Sequence, residues 1–358
     1  MKIVTVIGAR PQFVKAAMVS REMANHNSIN EVIIHTGQHF DKNMSKIFFQ
    51  EMSIATPDYN LGIESHSHGA MVGRQLEEIE KLLIKERPDK VLVYGDANST
   101  LAGSLAATKL NIPLAHVEAG LRSFNRTMPE EINRILTDHI AELLFVPTDT
   151  AKTNLIKEGI SRTKIHKVGD VMYDAALHFG KIAEKKSTIL EKLDLKPKKY
   201  ILSTVHRQEN TDDPNRLKNI FTALSSSALP VVLPLHPRTK KKLSQININL
   251  NGQILFMDPV GYLDMIMLEK NANKIATDSG GIQKEAFFYD VPCITMRDET
   301  EWVELVELGA NKIVGSSTEK IIDAFNDLST VSNNSTIYGD GSTSNKIVSI
   351  IGEYNNEN

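Results

Sequence analysis

The sequence predicts an α/β protein made of two Rossmann-like, doubly wound halves, and three observations predict it. Short apolar runs recur along the chain, each closed by a polar or Gly-rich turn and followed at once by a helix-forming stretch, the pattern of parallel strands joined by crossover helices. The series starts at Lys2 and starts again near Tyr200. Titratable residues gather just after the apolar runs, at the edge where open α/β sheets bind ligands. With 358 residues there is room for about two domains, each with its own core.

In the first half, Lys2 to Ile7 reads as a buried strand that Gly8-Ala9-Arg10-Pro11 turns into a helix starting near Gln12. Glu31 to Thr36 is the next strand, and Ser67 to Glu86 is helical. Lys90 to Tyr94, Pro113 to Val117, Leu143 to Val146 and Lys164 to Val168 follow as strands. Between them lie the polar turn Gly95 to Thr100, the helix Leu101 to Leu110 and the helix Pro129 to Ile140. In the second half Ile201 to Thr204, Val231 to Leu235, Ile254 to Met257, Lys274 to Thr277 and Cys293 to Met296 are strand-like. The charged, Pro-containing segment Lys185 to Lys199 lies near the join. The expected domains are residues 1–168 and 169–344, with a closing helix at 345–358 packing back on the first.

Composition narrows the function classes. Hydrophobic residues at 41% and charged residues at 24% describe a soluble globular chain, and a net charge of −3 gives no broad pull toward nucleic acid or anionic lipid. The N-terminal apolar run is too short for a signal peptide or a membrane span, so the cytoplasm is the expected compartment. One cysteine, Cys293, excludes an internal disulfide framework and reads as a buried structural thiol.

Chemistry concentrates at a few strand ends. In Ile275 to Ala286 an apolar run stops at Asp278-Ser279-Gly280-Gly281 and a helix follows, so that free N–H groups of the helix and the Ser279 hydroxyl are placed to hold a phosphate, with Glu285 in reach of a sugar hydroxyl. Asp96, Glu118, Glu130 or Glu131, and His206 come from other strand ends or helix starts. Carboxylates brought together raise one another's proton affinity, which suits an acid and base pair. Each has a plain alternative: Asp96 as a helix cap, Glu130 and Glu131 as partners of a helix dipole, His206 as a satisfied histidine, Arg10 as a local cap. Glu64, His66 and His68 lack a fourth metal partner, and His236-Pro237-Arg238 with Lys240 to Lys242 reads as a solvated basic surface.

Taken together, Gly8-Ala9-Arg10-Pro11, Gly95-Asp96, His116-Val117-Glu118-Ala119-Gly120-Leu121-Arg122, Pro129-Glu130-Glu131-Ile132-Asn133-Arg134, His206-Arg207-Gln208-Glu209-Asn210, Thr277 to Glu285 and Met296-Arg297-Asp298 resemble the non-hydrolysing UDP-N-acetylglucosamine 2-epimerase family. The resemblance runs in order over nearly the whole chain. It implies the GT-B fold, two Rossmann-like domains facing a cleft, and inversion at C2 of a UDP-linked 2-acetamido sugar with neither metal nor nicotinamide. The implied route is elimination of UDP and its re-addition. By the same resemblance Asp96, Glu118 and Glu130 are acid/base carboxylates and His206 a catalytic or phosphate-assisting histidine. Arg10, Ser279, Gly280 and Gly281 bind the diphosphate, Lys15 binds substrate, Glu285 binds ribose, and Arg297 contacts the nucleotide sugar. A homodimer is implied as well.

The sequence departs from the common form at Gly8-Ala9-Arg10-Pro11-Gln12-Phe13, at Phe40-Asp41 after Gly37-Gln38-His39, and in the short loop Ser123 to Met128 that carries Arg126. These variants look like the branch acting on UDP-2,3-diacetamido-2,3-dideoxy-glucuronate for surface polysaccharides. Arg122 or Arg126 is the expected cation for the sugar carboxylate, and Phe40 and Asp41 imply weak or no activation by a second substrate molecule. The alternatives are a UDP-N-acetylglucosamine 2-epimerase, a hydrolysing epimerase, a GT-B glycosyltransferase, or a non-catalytic nucleotide-sugar sensor. A glycosyltransferase does not need all three carboxylates, and a sensor could lose them.

Overall fold

The computed structural model describes residues 1–37, 56–64, 67–246, 248, 250, 254–327 and 336–354, with the side chain of Arg10 left aside. The chain divides into two compact units, residues 1–178 with 335–358, and residues 179–334.

The first unit holds a seven-stranded parallel sheet of β1 (Lys2–Ile7), β2 (Asn30–His35), β3 (Tyr59–Asn60), β4 (Lys90–Tyr94), β5 (Leu114–Val117), β6 (Leu143–Val146) and β7 (Ile165–Lys167), in the order β3-β2-β1-β4-β5-β6-β7. The central strands are buried along nearly their whole length, as parallel strands covered on both faces must be. The second unit repeats the plan with six parallel strands, β8 (Ile201–Thr204), β9 (Val231–Pro234), β10 (Ile254–Met257), β11 (Lys274–Thr277), β12 (Cys293–Thr295) and β13 (Asn311–Ile313), ordered β10-β9-β8-β11-β12-β13. Both are Rossmann-like, in agreement with the fold class predicted from sequence. Each sheet reverses its winding at one point, between β1 and β4 in the first and between β8 and β11 in the second, and there the strand ends part to leave room for a ligand.

Two sequence expectations shift. The turn expected over Gly95 to Thr100 is already helical from Asn98, in the helix Asn98–Lys109. The Ser99 and Thr100 hydroxyls, which read as loop residues, donate to Gln12 Oε1 (2.9 Å) and Tyr94 O (2.7 Å), so burial costs them nothing. The division between units falls within the helix Val171–Lys186, past residue 168. The start of that helix is tied to the chain's last helix, because Asp174 accepts hydrogen bonds from the Thr343 amide (3.1 Å), the Ser344 amide (2.7 Å) and the Ser344 hydroxyl (2.5 Å). The closing helix, Thr343–Glu353, packs on Arg10–Met23, where Asn345 donates to Glu22 (3.0 Å). Short strands β3 and β13 were not expected; the first is two residues long and the second opens on a polar Asn311.

Cys293 is buried in the second unit, where burial pushes its thiol up to about 12, as suits a structural thiol. Among the described residues no helix is long and apolar enough to cross a membrane.

The second unit also buries an acid. Glu269, on the helix Tyr262–Asn271, is 1% exposed, and neither carboxyl oxygen has a hydrogen-bond partner among the described residues. A carboxylate there would cost several kcal/mol, so burial first and the charge of Glu285 second push its proton affinity far above the usual value of 4.5. The folded state keeps a proton that the unfolded chain releases, so stability must fall as pH rises above that usual value, by about 1.4 kcal/mol per unit until the folded group titrates. We expect Glu269→Gln to raise the urea midpoint of unfolding relative to the native protein more at pH 8 than at pH 5.5. Equal differences at the two pH values would contradict a protonated Glu269.

Candidate active site

In the first unit the sheet's carboxyl edge carries two acids, each held by a cation. Gly95 follows β4 with φ of +60°, a left-handed turn that glycine adopts without strain. Asp96 comes next, with its carboxylate 2.5 Å from Arg134 Nη2 and its carbonyl accepting from Asn133 Nδ2 at 2.9 Å. Arg134 and Asn133 lie on the helix Pro129–Ile140, which begins with Pro129 at its first turn and so sets the approach to Asp96. Glu118 follows β5 in a left-handed conformation (φ +71°), an uncommon backbone for a residue with a Cβ and one that clusters at functional sites. Its carboxylate is ion-paired with Lys15 from the helix Arg10–Met23, and both side chains are nearly buried. A Cβ at Gly95 would lie 3.2 Å from Lys15 Nζ and 3.3 Å from Glu118 Oε2, so the Asp96 turn rests directly on that pair.

The two glutamates that begin the helix Pro129–Ile140 separate in role. Glu131 is 1% exposed and accepts from the Ser123 amide and hydroxyl, the Phe124 amide and Arg134, all at 3.0 Å. It anchors the loop before the helix. Glu130 is half-buried in the first turn and is the one of the pair still placed to meet a ligand. In the anchored loop Arg126 is exposed. Arg122 is not: its guanidinium donates to Leu121 O (2.6 Å), to Asp138 (2.7 Å) and twice to Glu158 (2.7 Å each), all within the protein. Those bonds engage Arg122 within the protein, whereas Arg126 is exposed.

The second unit supplies a different chemistry at its own switch point. Asp278, directly after β11, is fully buried and accepts from the His206 amide (3.1 Å), the Arg207 amide (3.0 Å) and Asn210 Nδ2 (3.1 Å), while His206 Nδ1 stands 3.4 Å from it. The His206 ring, 40% exposed, is thereby presented from the end of β8. The helix Gly280–Phe288 begins at the neighbouring strand end, with Ser279 as its N-cap. Gln283 makes an intrahelical bond back to Ser279 O, and the amides of Gly280, Gly281 and Ile282 precede it, so three N–H groups project from the helix start. This is the geometry of an anion cradle. A Cβ at Gly280 would collide with Glu301, the carboxylate that also accepts from Arg297 at 2.9 Å, whereas Gly281 is exposed with only Ser279 Oγ nearby, at 3.9 Å. Arg297 is 1% exposed and lies 3.6 Å from Glu209. Glu285, one and a half turns into the helix, is 7% exposed and receives a long hydrogen bond from Tyr262 (3.4 Å).

Asp278, Arg134 and Gln12 had no assigned role from sequence, although the first two stand inside the motifs. Their signal was spacing: Arg134 lies one turn beyond Glu131, and Asp278 closes a strand. Gln38, His39, Phe40, Asp41 and His66 lie outside the described residues. His68 is engaged with Asn98 (3.2 Å), and among the described residues no cluster of His, Cys, Asp and Glu could hold a metal ion. In the basic cluster Lys242 pairs with Asp212 at 3.0 Å on the surface.

Comparison with known proteins identifies the family. A family model described as UDP-N-acetylglucosamine 2-epimerase matches residues 21–352. The chain is 55% identical, over 98% of its length and 99% of the relative's, to a UDP-N-acetylglucosamine 2-epimerase homolog of Methanococcus maripaludis. It is 51% identical, over 97% of its length and 98% of the relative's, to the UDP-2,3-diacetamido-2,3-dideoxy-D-glucuronate 2-epimerase of Pseudomonas aeruginosa. Its structure is similar, with a TM-score of 0.92 and 47% identity, to the Methanocaldococcus jannaschii UDP-GlcNAc 2-epimerase solved with UDP-GlcNAc and UDP, covering 99% of this chain and all of that one. The family that the motifs resemble is the one these matches return, and the fold is of the same kind. The chain belongs to the UDP-N-acetylglucosamine 2-epimerase family.

Proposed function

We propose that the protein inverts C2 of a UDP-linked 2-acetamido sugar by eliminating UDP and adding it back, and that the sugar is 2,3-diacetamido-2,3-dideoxy-glucuronate. The observation that carries the reading is the pair Asp96 with Arg134 and Glu118 with Lys15, two carboxylates fixed at adjacent strand ends. A proton on C2 is weakly acidic, so a positioned base is needed, and the departing diphosphate must be met by donors as its charge grows. A carboxylate takes the C2 proton, the C–H electron pair becomes the C1–C2 double bond, and the C1–O bond breaks toward the β-phosphate. In the return step a proton reaches the opposite face of C2 and the UDP oxygen re-forms the bond to C1. Asp96, Glu118 and Glu130 handle the proton. His206, Arg10 and the amides after Ser279 meet the diphosphate, Glu285 the ribose, and Arg297 orders the turn beneath Gly280. No metal and no redox cofactor enters this scheme. Arg122 is a positioning residue in it.

The choice of the uronate is supported by the Pseudomonas aeruginosa relative and by exposed Arg126, a cation for the C5 carboxylate. A second reading, epimerisation of UDP-N-acetylglucosamine, is supported by the Methanocaldococcus jannaschii structure with that sugar bound. The reading extends to a cytoplasmic homodimer that supplies the mannuronate epimer for surface polysaccharide such as O-antigen.

Incubation in deuterated water with each UDP-sugar should place deuterium at C2 of the uronate; exchange confined to UDP-N-acetylglucosamine would select the second reading, and exchange in neither would refute the mechanism. Loss of a charge-assisted contact costs about 1.5–3 kcal/mol, so Arg126→Ala should raise KM for the uronate by about 10-fold or more. An unchanged KM removes Arg126 from the site. Turnover of the uronate should also need no added UDP-N-acetylglucosamine, and a strict requirement for it would remove the distinction drawn at Phe40 and Asp41.

A further inference from the structure

His116, on β5, is fully buried and none of the chemistry above uses it. Its two ring nitrogens both face acceptors. Nε2 lies 2.7 Å from the Gly95 carbonyl oxygen, and Nδ1 lies 2.7 Å from Asp138 Oδ1. A carbonyl oxygen can only accept, so Nε2 carries a hydrogen. The other oxygen of Asp138 accepts from the Gly120 amide (3.1 Å) and from Arg122 Nη1 (2.7 Å), an arrangement that favours the carboxylate. Burial alone would raise the Asp138 carboxyl, yet the hydrogen bond and charge of His116, together with Arg122, outweigh it and hold the group below its usual range. One hydrogen lies between Asp138 Oδ1 and Nδ1, so the ring is held at both ends.

Arg122 pairs with Asp138 inside the protein and with half-buried Glu158, which His139 reaches from the surface (3.2 Å). On the far side of Gly95 stand Lys15 with Glu118, and Asp96 with Arg134 and Glu131, all already paired.

The placement of the pair matters more than its charge. Through Nε2 it holds the carbonyl just before Asp96, and through Asp138 it holds the amide of Gly120, two residues after Glu118. We infer that His116 is a positioning residue which, with Asp138, clamps the turn carrying Asp96 to the turn carrying Glu118 and so sets the spacing of the two acids for proton transfer at C2. The inference rests on the proposed epimerase reaction for its functional part and on the structure alone for the clamp.

Two measurements test the parts separately. In the native protein labelled with ¹⁵N-histidine, Nε2 of His116, assigned by comparison with His116→Asn, should carry a slowly exchanging hydrogen bonded to the Gly95 carbonyl; an Nε2 without that hydrogen overturns the clamp. This spectrum decides the first part whatever the reaction turns out to be, and if the variant does not fold, slow-exchanging N–H correlations to Gly95 and Asp138 supply the assignment. In His116→Asn the ring's bond to the Gly95 carbonyl is lost, and a displacement of catalytic groups by about 1 Å lowers rates about 100-fold. We expect kcat for C2 deuterium exchange to fall by about that factor while KM changes less than about threefold. Unchanged kcat overturns the clamp. A native enzyme that exchanges neither sugar defeats the epimerase reading and leaves the spectral result standing.

Discussion

The amide of Gln12 is the constraint on which the first unit depends. Its oxygen accepts from the amides of Gly8 (2.7 Å) and Ala9 (2.8 Å) and from the Ser99 hydroxyl (2.9 Å), and its nitrogen donates to Tyr94 O and Thr100 Oγ1 (2.9 Å each). One buried side chain thus satisfies the polar groups exposed where β1 and β4 part. Parting strands are what make a ligand site in this fold, and the same parting strips backbone groups of their ladder partners. A carboxylate at position 12 could accept as Gln12 does but could not donate to Tyr94 O, which would keep the Thr100 hydroxyl alone of these two donors.

A similar economy governs both switch points, with opposite signs. In the first unit cations hold carboxylates: Lys15 on Glu118, Arg134 on Asp96 and Glu131, Arg122 on Asp138 and Glu158. In the second, the carboxylate of Asp278 gathers amides and holds His206, and Glu301 holds Arg297 beneath Gly280, so that donors are what the site presents. The first arrangement suits moving a proton and the second suits receiving a phosphate. Side chains buried to this extent lose little rotamer entropy when a substrate arrives, which favours a pre-formed site.

Much of this was legible in the sequence because parallel strands buried on both faces read as continuous apolar runs, and their ends mark where chemistry sits. The helix Pro129–Ile140 and the strands from Lys90, Leu143, Ile201, Ile254 and Lys274 follow from that pattern and from proline and glycine at their limits. What escaped was tertiary. Ser99 and Thr100 are polar enough to read as loop, and the partners that satisfy them once buried include Gln12, far away in the chain. Position alone left Glu130 and Glu131 as equals, since adjacent helix positions differ only in which face meets the protein, and the family resemblance chose Glu130. Arg122 and Arg126 were equal candidates; the buried carboxylate of Asp138 and the half-buried one of Glu158, distant in the chain, engage Arg122.

The path of the chain through the two units has a consequence for how the molecule is made. The second unit is one continuous segment, residues 179–334, whereas the first needs both ends of the chain, since Asp174 and the helix Arg10–Met23 wait for Thr343–Glu353. On a ribosome the later segment can finish folding before the earlier one can close. The first unit therefore emerges with its packing incomplete for most of synthesis, and the helix Thr343–Glu353, with Ile347, Val348 and Ile351 buried, packs on Arg10–Met23 last. Shortening the C-terminus should then damage the unit that begins the chain, and leave intact the one whose end it follows.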